Sequence, residues 1–175
     1  MAVTSLSKRY PHRIVYQIVA THLRVAQADG ELYDNAVRSV YNAIDAAEDY
    51  LNMPICRTSV VIDGVAMPGE RIALNVPYAT AKSITLNGER VTDDECVVTG
   101  SIRNSYALLS SAYAEGQATF SIEAEVSYDD STIPGAIYQA VAIIASSFFE
   151  QNAEAEMPSS AKSLLNPYRI YPYEL

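Results

Sequence analysis

The sequence predicts an α+β fold. A helical frame is expected (a short helix, a long helix, a central apolar helix and a short C-terminal helix) with a small antiparallel β unit inserted into it. Three observations predict this. Over Glu31–Asn52 and again over Ile133–Gln151, apolar residues recur at steps of three and four, the spacing that draws one stripe down a helix. From Cys56 to Tyr128 the period falls to two, most clearly in ATFSIEAEVSY, where Phe120, Ile122, Ala124, Val126 and Tyr128 share a face. Helices, then strands, then helices, with no βαβ alternation, is an α+β order. The expected organisation is residues 1–55 as N-terminal arm and helices, 56–128 as the inserted β unit, and 129–175 as central helix and C-terminal tail, with the first and last parts forming one domain.

A chain of 175 residues suits one domain carrying an insertion, and 49% hydrophobic with 19% charged residues is enough to build a core. The net charge of −9 argues against gripping nucleic acid, which requires clustered Lys and Arg facing phosphates. It leaves open surrounding nucleic acid without holding it. Two cysteines, Cys56 and Cys96, with no CxxC pair, make reduced thiols the default and leave a Cys56–Cys96 disulfide open. The 13 tyrosines against no tryptophan suit interfaces or core edges, where a ring buries area and keeps a polar tip. No stretch reads as a signal peptide or as a transmembrane span.

Taken in order, Met1–Arg13 is polar and basic, with Lys8, Arg9, His12 and Arg13 around Pro11, and reads as an extended arm or a frayed terminus. Tyr16–Val25 has Ile18, Val19, His22 and Leu23 at short helical intervals. Ala26–Gly30 is a loop in which Asp29 is placed to cap the next helix. In Glu31–Asn52 the stripe is Val37, Val40, Ile44, Ala47 and Leu51, flanked by Tyr33, Tyr41 and Tyr50. Pro54 is expected to end that helix, because the residue before a proline is pushed off helical angles.

Strands are expected at Ser59–Ile62, Arg71–Val76, Lys82–Leu86, Glu95–Thr99, Tyr106–Ser110 and Ala118–Tyr128. Asn87-Gly88, between Ile84-Thr85-Leu86 and Arg90-Val91, is a two-residue hairpin signal. Asp63-Gly64, Pro68-Gly69 and Glu115-Gly116 read as further turns.

In the central helix Pro134 sits where the first turn has no use for its missing N–H. Ile137, Val141, Ile144 and Phe148 make its stripe, and Phe149 falls on another face. A helix apolar nearly all round must be buried nearly all round, by its own chain or by its own chain and a neighbouring one. After the acidic loop QNAEAEMPSS, Ala161–Leu165 makes a short helical turn that Asn166-Pro167 breaks. The tail, Leu164 to Leu175, is too apolar to hang in water and reads as docked on its own domain or on a neighbour.

No catalytic or metal-binding pattern emerges. His12 and His22 have no second ligand at metal spacing. There is no glycine-rich phosphate loop, no GxSxG and no HExxH. Asp93, Asp94 and Glu95, and Asp129 and Asp130, are acidic runs without the calcium-loop alternation, and read as solvated turns. Arg57 beside Cys56 could favour the thiolate, but no base is paired with it. The chain is expected to be no enzyme and to need no metal or cofactor.

Three stretches together resemble the head-to-tail connector (adaptor) proteins of tailed bacteriophages. These are THLRVAQADGELYDNAVRSVYNAIDAAEDYLNMPI, VSYDDSTIPGAIYQAVAIIASSFFEQNAE and MPSSAKSLLNPYRIY, in which the short helix ending LL-x-P-Y-R is the most specific. They span about half of the chain. The β segment matches only in position, and Asp129-Asp130 stand where the family places glycine after V-x-Y. The resemblance implies a virion protein that assembles in the host cytoplasm into a ring of about twelve copies in the particle neck. The ring would sit beneath the portal protein, meet a stopper or tail protein below, and let DNA pass through its lumen without sequence-specific binding. It implies no catalysis, no cofactor and no membrane. Under it, Leu164, Leu165, Pro167, Tyr168, Arg169, Ile170, Tyr171 and Tyr173 would dock on the portal or a neighbouring copy. Ile137, Val141, Ile144, Phe148 and Phe149 would be core or inter-subunit helix. Other readings are a stopper or tail-completion protein, or an acidic module binding a small ligand or carbohydrate on its β unit.

Overall fold

The computed structural model describes residues 2–74, 76, 79–92, 95–99, 105–110, 116–126, 128, 133–151 and 156–170. Contacts divide the chain into two compact units, Met1–Arg9 with Cys56–Tyr128, and Tyr10–Ile55 with Asp129–Leu175. Helices and antiparallel sheets give the α+β fold that the change of period predicts.

The second unit is helical. Its first helix, α1 (His12–Gln17), continues as a π-helix over Ile18–Leu23 and stops at Arg24, whose left-handed φ of 57° turns the chain out. It begins four residues before the expected Tyr16, because the carbonyl of Pro11 accepts from the Val15 N–H at 3.1 Å. Asp29 does not cap the following helix. Its carboxylate accepts from the Ala26 N–H at 2.8 Å within its own short turn, and Gly30 takes the cap position at φ 56°. Helix α2 (Glu31–Leu51) buries Ala36, Ser39, Val40, Ala43, Ile44, Ala47 and Leu51, close to the expected stripe, with Val37 only half-buried. Its end is set before Pro54: Asn52 adopts φ 54° and its N–H returns to the carbonyls of Asp49 and Glu48, a left-handed C-cap that Asn tolerates better than most residues. Helix α3 (Gly135–Gln151) starts just after Pro134, whose carbonyl accepts from Ile137 and Tyr138 N–H at 2.9 and 3.1 Å. Proline thus precedes the first turn rather than lying in it. Helix α4 (Ser159–Leu165) follows, then one 3₁₀ turn over Asn166–Tyr168. Helix α3 packs on α2, on α4 and on the π-helical segment.

The first unit holds two antiparallel sheets. The larger runs β1 (Ala2–Arg9), β2 (Arg57–Ala66), β8 (Ala118–Val126), β4 (Thr80–Leu86) and β5 (Glu89–Arg90) in spatial order. The smaller runs β3 (Arg71–Ala73), β7 (Tyr106–Leu109) and β6 (Cys96–Thr99). Both contribute to one core of Val60, Ile62, Ile84, Leu86, Phe120, Ile122 and Val126 from the larger sheet with Cys96, Ala107 and Leu109 from the smaller. The alternation that sequence shows makes this possible by turning one apolar face of each strand inward, although Val65, Val97 and Leu108 remain exposed on the other. Asn87-Gly88 forms the expected hairpin, with φ 51° and 86°, and the Asn87 side chain accepts from Thr119 N–H at 2.9 Å, tying the turn to β8.

Two expectations change here. Asp63-Gly64 is not a turn but lies within β2, paired with Ser121 and Phe120. The N-terminal arm is not a free extension and does not belong to the helical unit. Ala2–Arg9 pairs antiparallel with β2, because main-chain groups on that edge of the sheet accept any extended partner. Cys56 and Cys96 are both buried thiols and form no disulfide.

Candidate functional site

Of the residues that the resemblance assigns to docking, those described, from Leu164 to Ile170, belong to the helical unit and run from α4 to the C-terminal end of α2. Leu165 is fully buried together with Ala161, which fixes α4 on the unit's core, and Leu164 is half-buried. Beyond them the chain clasps the end of α2. The Tyr50 hydroxyl donates to Asn166 Oδ1 at 2.5 Å. The Ile170 N–H donates to the Leu51 carbonyl at 2.9 Å, and Asn52 Nδ2 donates to the Ile170 carbonyl at 3.0 Å. The last carbonyls of a helix have no partner inside it, so the tail satisfies one of them. The Arg169 guanidinium lies 4.8 Å from the Tyr50 ring centroid. It thereby brings a positive charge to a helix end whose own last turn has no basic residue, where the helix dipole favours one.

The tail up to Ile170 is therefore ordered by its own unit. Of the two expected seats, its own domain or a neighbour, this part takes the first: the apolar anchor Leu165 is core, and the main chain of Ile170 is engaged on α2. Pro167 is exposed, while Tyr168, Arg169 and Ile170 are half-buried. Tyr171 and Tyr173 lie outside the described residues. Sequence reasoning missed Asn52 and Tyr50 as partners of the tail. The signal that could have found Asn52 is an asparagine at a helix end, since Asn enters the left-handed region readily. Nothing in the sequence marks Ile170 as its partner.

On α3, Ile137, Val141, Ile144 and Phe148 are buried and Phe149 is half-buried. Its own unit covers most of the helix, leaving the strip Gln139, Ile143, Ser146 and Glu150, of which only Gln139 and Glu150 are fully exposed. An apolar helix here needs no second chain to explain most of its composition.

The chemistry of both units is sparse. Among the described residues no three His, Cys, Asp or Glu side chains come together as a metal site, and no helix is long and apolar enough to cross a membrane. His22 meets Tyr138 ring to edge at 5.8 Å, an aromatic contact. Arg57 is drawn to Glu125, which also takes Lys82 Nζ at 3.2 Å. Arg57 is thus engaged by Glu125, and the neighbouring Cys56 is buried. Burial pushes the Cys96 thiol up from its ordinary value, which disfavours a thiolate. Glu95 accepts from Thr92 and closes a turn, while Asp93, Asp94, Asp129 and Asp130 are outside the described residues. An open hollow of about 580 Å³ on the larger sheet is lined by Asp63, Gly64, Val65, Thr85, Gly88, Thr119, Phe120 and Ser121. Among the described lining residues there is one carboxylate, Asp63, and one aromatic ring, Phe120, which is buried.

No protein-family model matches the chain, and no curated protein does. Solved structures do. The neck of an empty gene transfer agent particle, computed with C6 symmetry, contains a chain that superposes with a TM-score of 0.75 at 17% identity, covering 98% of this chain and 97% of that one. The fold is that of a particle-neck chain. The virion of a native gene transfer agent particle gives a TM-score of 0.73 at 17% identity, again over 98% and 97%. The neck of the native particle, computed with C12 symmetry, gives 0.68 at 16% identity over the same shares. Coverage of this extent means that both the helical unit and the two-sheet unit have counterparts in that fold, so the β segment is part of the shared architecture.

Proposed function

We propose that the chain is a structural neck protein, a head-to-tail connector of the adaptor kind. In this reading its copies form a ring, about twelve of them, beneath a portal, around a channel through which DNA passes, with a stopper or tail protein below. The observation that supports it most is the end-to-end correspondence with neck chains of a phage-like particle. The acidic balance fits a channel wall: a net charge of −9 gives DNA phosphates little to grip.

Docking on the portal falls, in this reading, to Tyr171 and Tyr173, which follow the clasp in sequence, together with the exposed Pro167 and the half-buried Tyr168. Pro167 and Pro172 stiffen the segment and reduce the entropy lost on binding. The clasp on α2 gives it a fixed point of departure.

A truncation after Ile170 tests this, because it keeps every contact described for the tail. The shortened protein is expected to fold with unchanged melting temperature and to fail to join DNA-filled heads, leaving tail-less particles. Tail-bearing, infectious particles made with it would remove the docking role. Sedimentation and native mass measure ring formation, and a neck reconstruction places the ring against the portal or below an adaptor, which separates an adaptor from a stopper.

A further inference from the structure

The N-terminal strand belongs to one unit by its contacts and to the other by its chain. Ala2–Arg9 is grouped with the sheets, and Tyr10 with the helices. The strand lies at the edge of the five-stranded sheet and, among the described residues, pairs with β2 alone, from Ala2↔Asp63 to Arg9↔Arg57, with an irregularity between Ser5 and Ser7. It forms no hairpin with β2: the whole of residues 10–55 lies between them in sequence. Thr4, Ser7 and Lys8, on this strand, are exposed, and the pairing follows a main-chain register over its whole length.

The point where the strand leaves the helices is fixed independently of the strand. The Tyr10 hydroxyl lies 2.9 Å from both carboxylate oxygens of Asp45. Its ring lies 4.4 Å, centroid to centroid, from that of Tyr41. Both partners are on α2. Pro11, next in the chain, disfavours helical angles at Tyr10. The strand can therefore leave β2 without disturbing the helical unit, and its place on β2 can accept any strand of the same sequence.

Resting on the ring reading above, we propose that β1 is an exchanged strand: in the assembled ring, Ala2–Arg9 of one copy pairs with β2 of the adjacent copy. The occupant is a second copy because each chain carries both the strand and the place for it, so exchange around a closed ring leaves no edge unfilled. Every pairing lost within a chain is regained between chains. The balance is then set by the Arg9–Tyr10 joint and by the high local concentration of neighbours, the conditions under which identical elements swap. The result would be a ring whose copies are interlocked through main-chain bonds.

The test uses the full chain and the Thr4↔Val61 pair of the register. Copies carrying Thr4→Cys and copies carrying Val61→Cys are co-expressed, the rings are isolated alone or on the portal, and the thiols are oxidised. A disulfide between the two variants requires a strand of one copy on β2 of another, so a covalent dimer on a non-reducing gel is the expected result. The double variant, with both cysteines in one chain, is expected to give a ladder of covalent multimers from rings. Rings in which the double variant closes only within each chain, or in which neither arrangement forms a disulfide, would overturn the exchange and leave the ring intact. A protein that native mass finds only as monomer, with and without portal, would overturn the ring and the exchange together.

Discussion

Gly64 and Phe120 face each other across β2 and β8, and the ring of Phe120 fills the space where Gly64 has no side chain. A Cβ built on Gly64 would lie 2.4 Å from Phe120 Cζ and 2.7 Å from Cε1. Glycine inside a strand costs conformational entropy and offers nothing to pack. Here an aromatic ring laid over it by its cross-strand partner recovers the packing, and Phe120 remains buried at 4% exposure.

Gly64→Ala is expected to destabilise the protein by about 1–3 kcal/mol, because the added methyl forces the Phe120 ring out of its place. Phe120→Leu in the same background should recover part of that loss, since the two residues share one space. Denaturant titrations of the two single variants and the double variant measure this. A Gly64→Ala protein with an unchanged midpoint would mean that the ring can move aside freely.

Truncation after Asn166 is expected to lower stability, unlike truncation after Ile170. It removes the Ile170 N–H from the Leu51 carbonyl and the Ile170 carbonyl from Asn52, together with Arg169 over Tyr50. Each hydrogen bond contributes about 0.5–1.5 kcal/mol. Asn52→Ala should give part of the effect, through one lost hydrogen bond and a left-handed φ that alanine resists. Thermal melting followed by helical circular dichroism compares these variants, and equal melting temperatures for both truncations would show that the clasp adds nothing.

Ile144→Asp places a carboxylate at a position with no exposure on the α3 face. A buried charge without a partner is expected to cost about 3 kcal/mol or more. Loss of the cooperative transition, or a large fall in its midpoint, is the expected readout. A variant that melts like the parent would show that this face of α3 is not core.

Glu125 carries a pH dependence whose sign is fixed. The hydrogen bond from Arg57 holds its carboxyl below the ordinary value of 4.5, with Lys82 acting in the same direction and partial burial opposing both. A carboxyl with a lowered value in the folded state binds fewer protons than it does unfolded. Its contribution is therefore present above the unfolded value and fades as pH falls through the folded one. Arg57 and Lys82 are largely exposed, so the effect should be small and should shrink in high salt. Midpoints measured across the acid range should fall less steeply for Glu125→Gln than for the parent. Identical slopes would show that the charged pair makes no net contribution to folding.

Both long helices, the strands of the two sheets other than β1 and the Asn87-Gly88 turn were legible in the sequence, because periodicity and turn chemistry are local properties of consecutive residues. The α+β class followed from their order. The buried stripe of Ile137, Val141, Ile144 and Phe148 was legible for the same reason. Only the tertiary structure decided where Ala2–Arg9 and the tail as far as Ile170 go. Ala2–Arg9 reads as an arm because an edge strand needs nothing distinctive in its own sequence; its partner β2 lies some fifty residues away and supplies main-chain groups that every residue has. Likewise the tail's seat depends on Asn52 and Leu51 meeting Ile170, a pairing between distant positions through a carbonyl, an N–H and one amide side chain. Gly64 read as a turn because glycine beside aspartate usually marks one. It is a strand residue because Phe120, more than fifty positions later, fills the space that its missing side chain leaves.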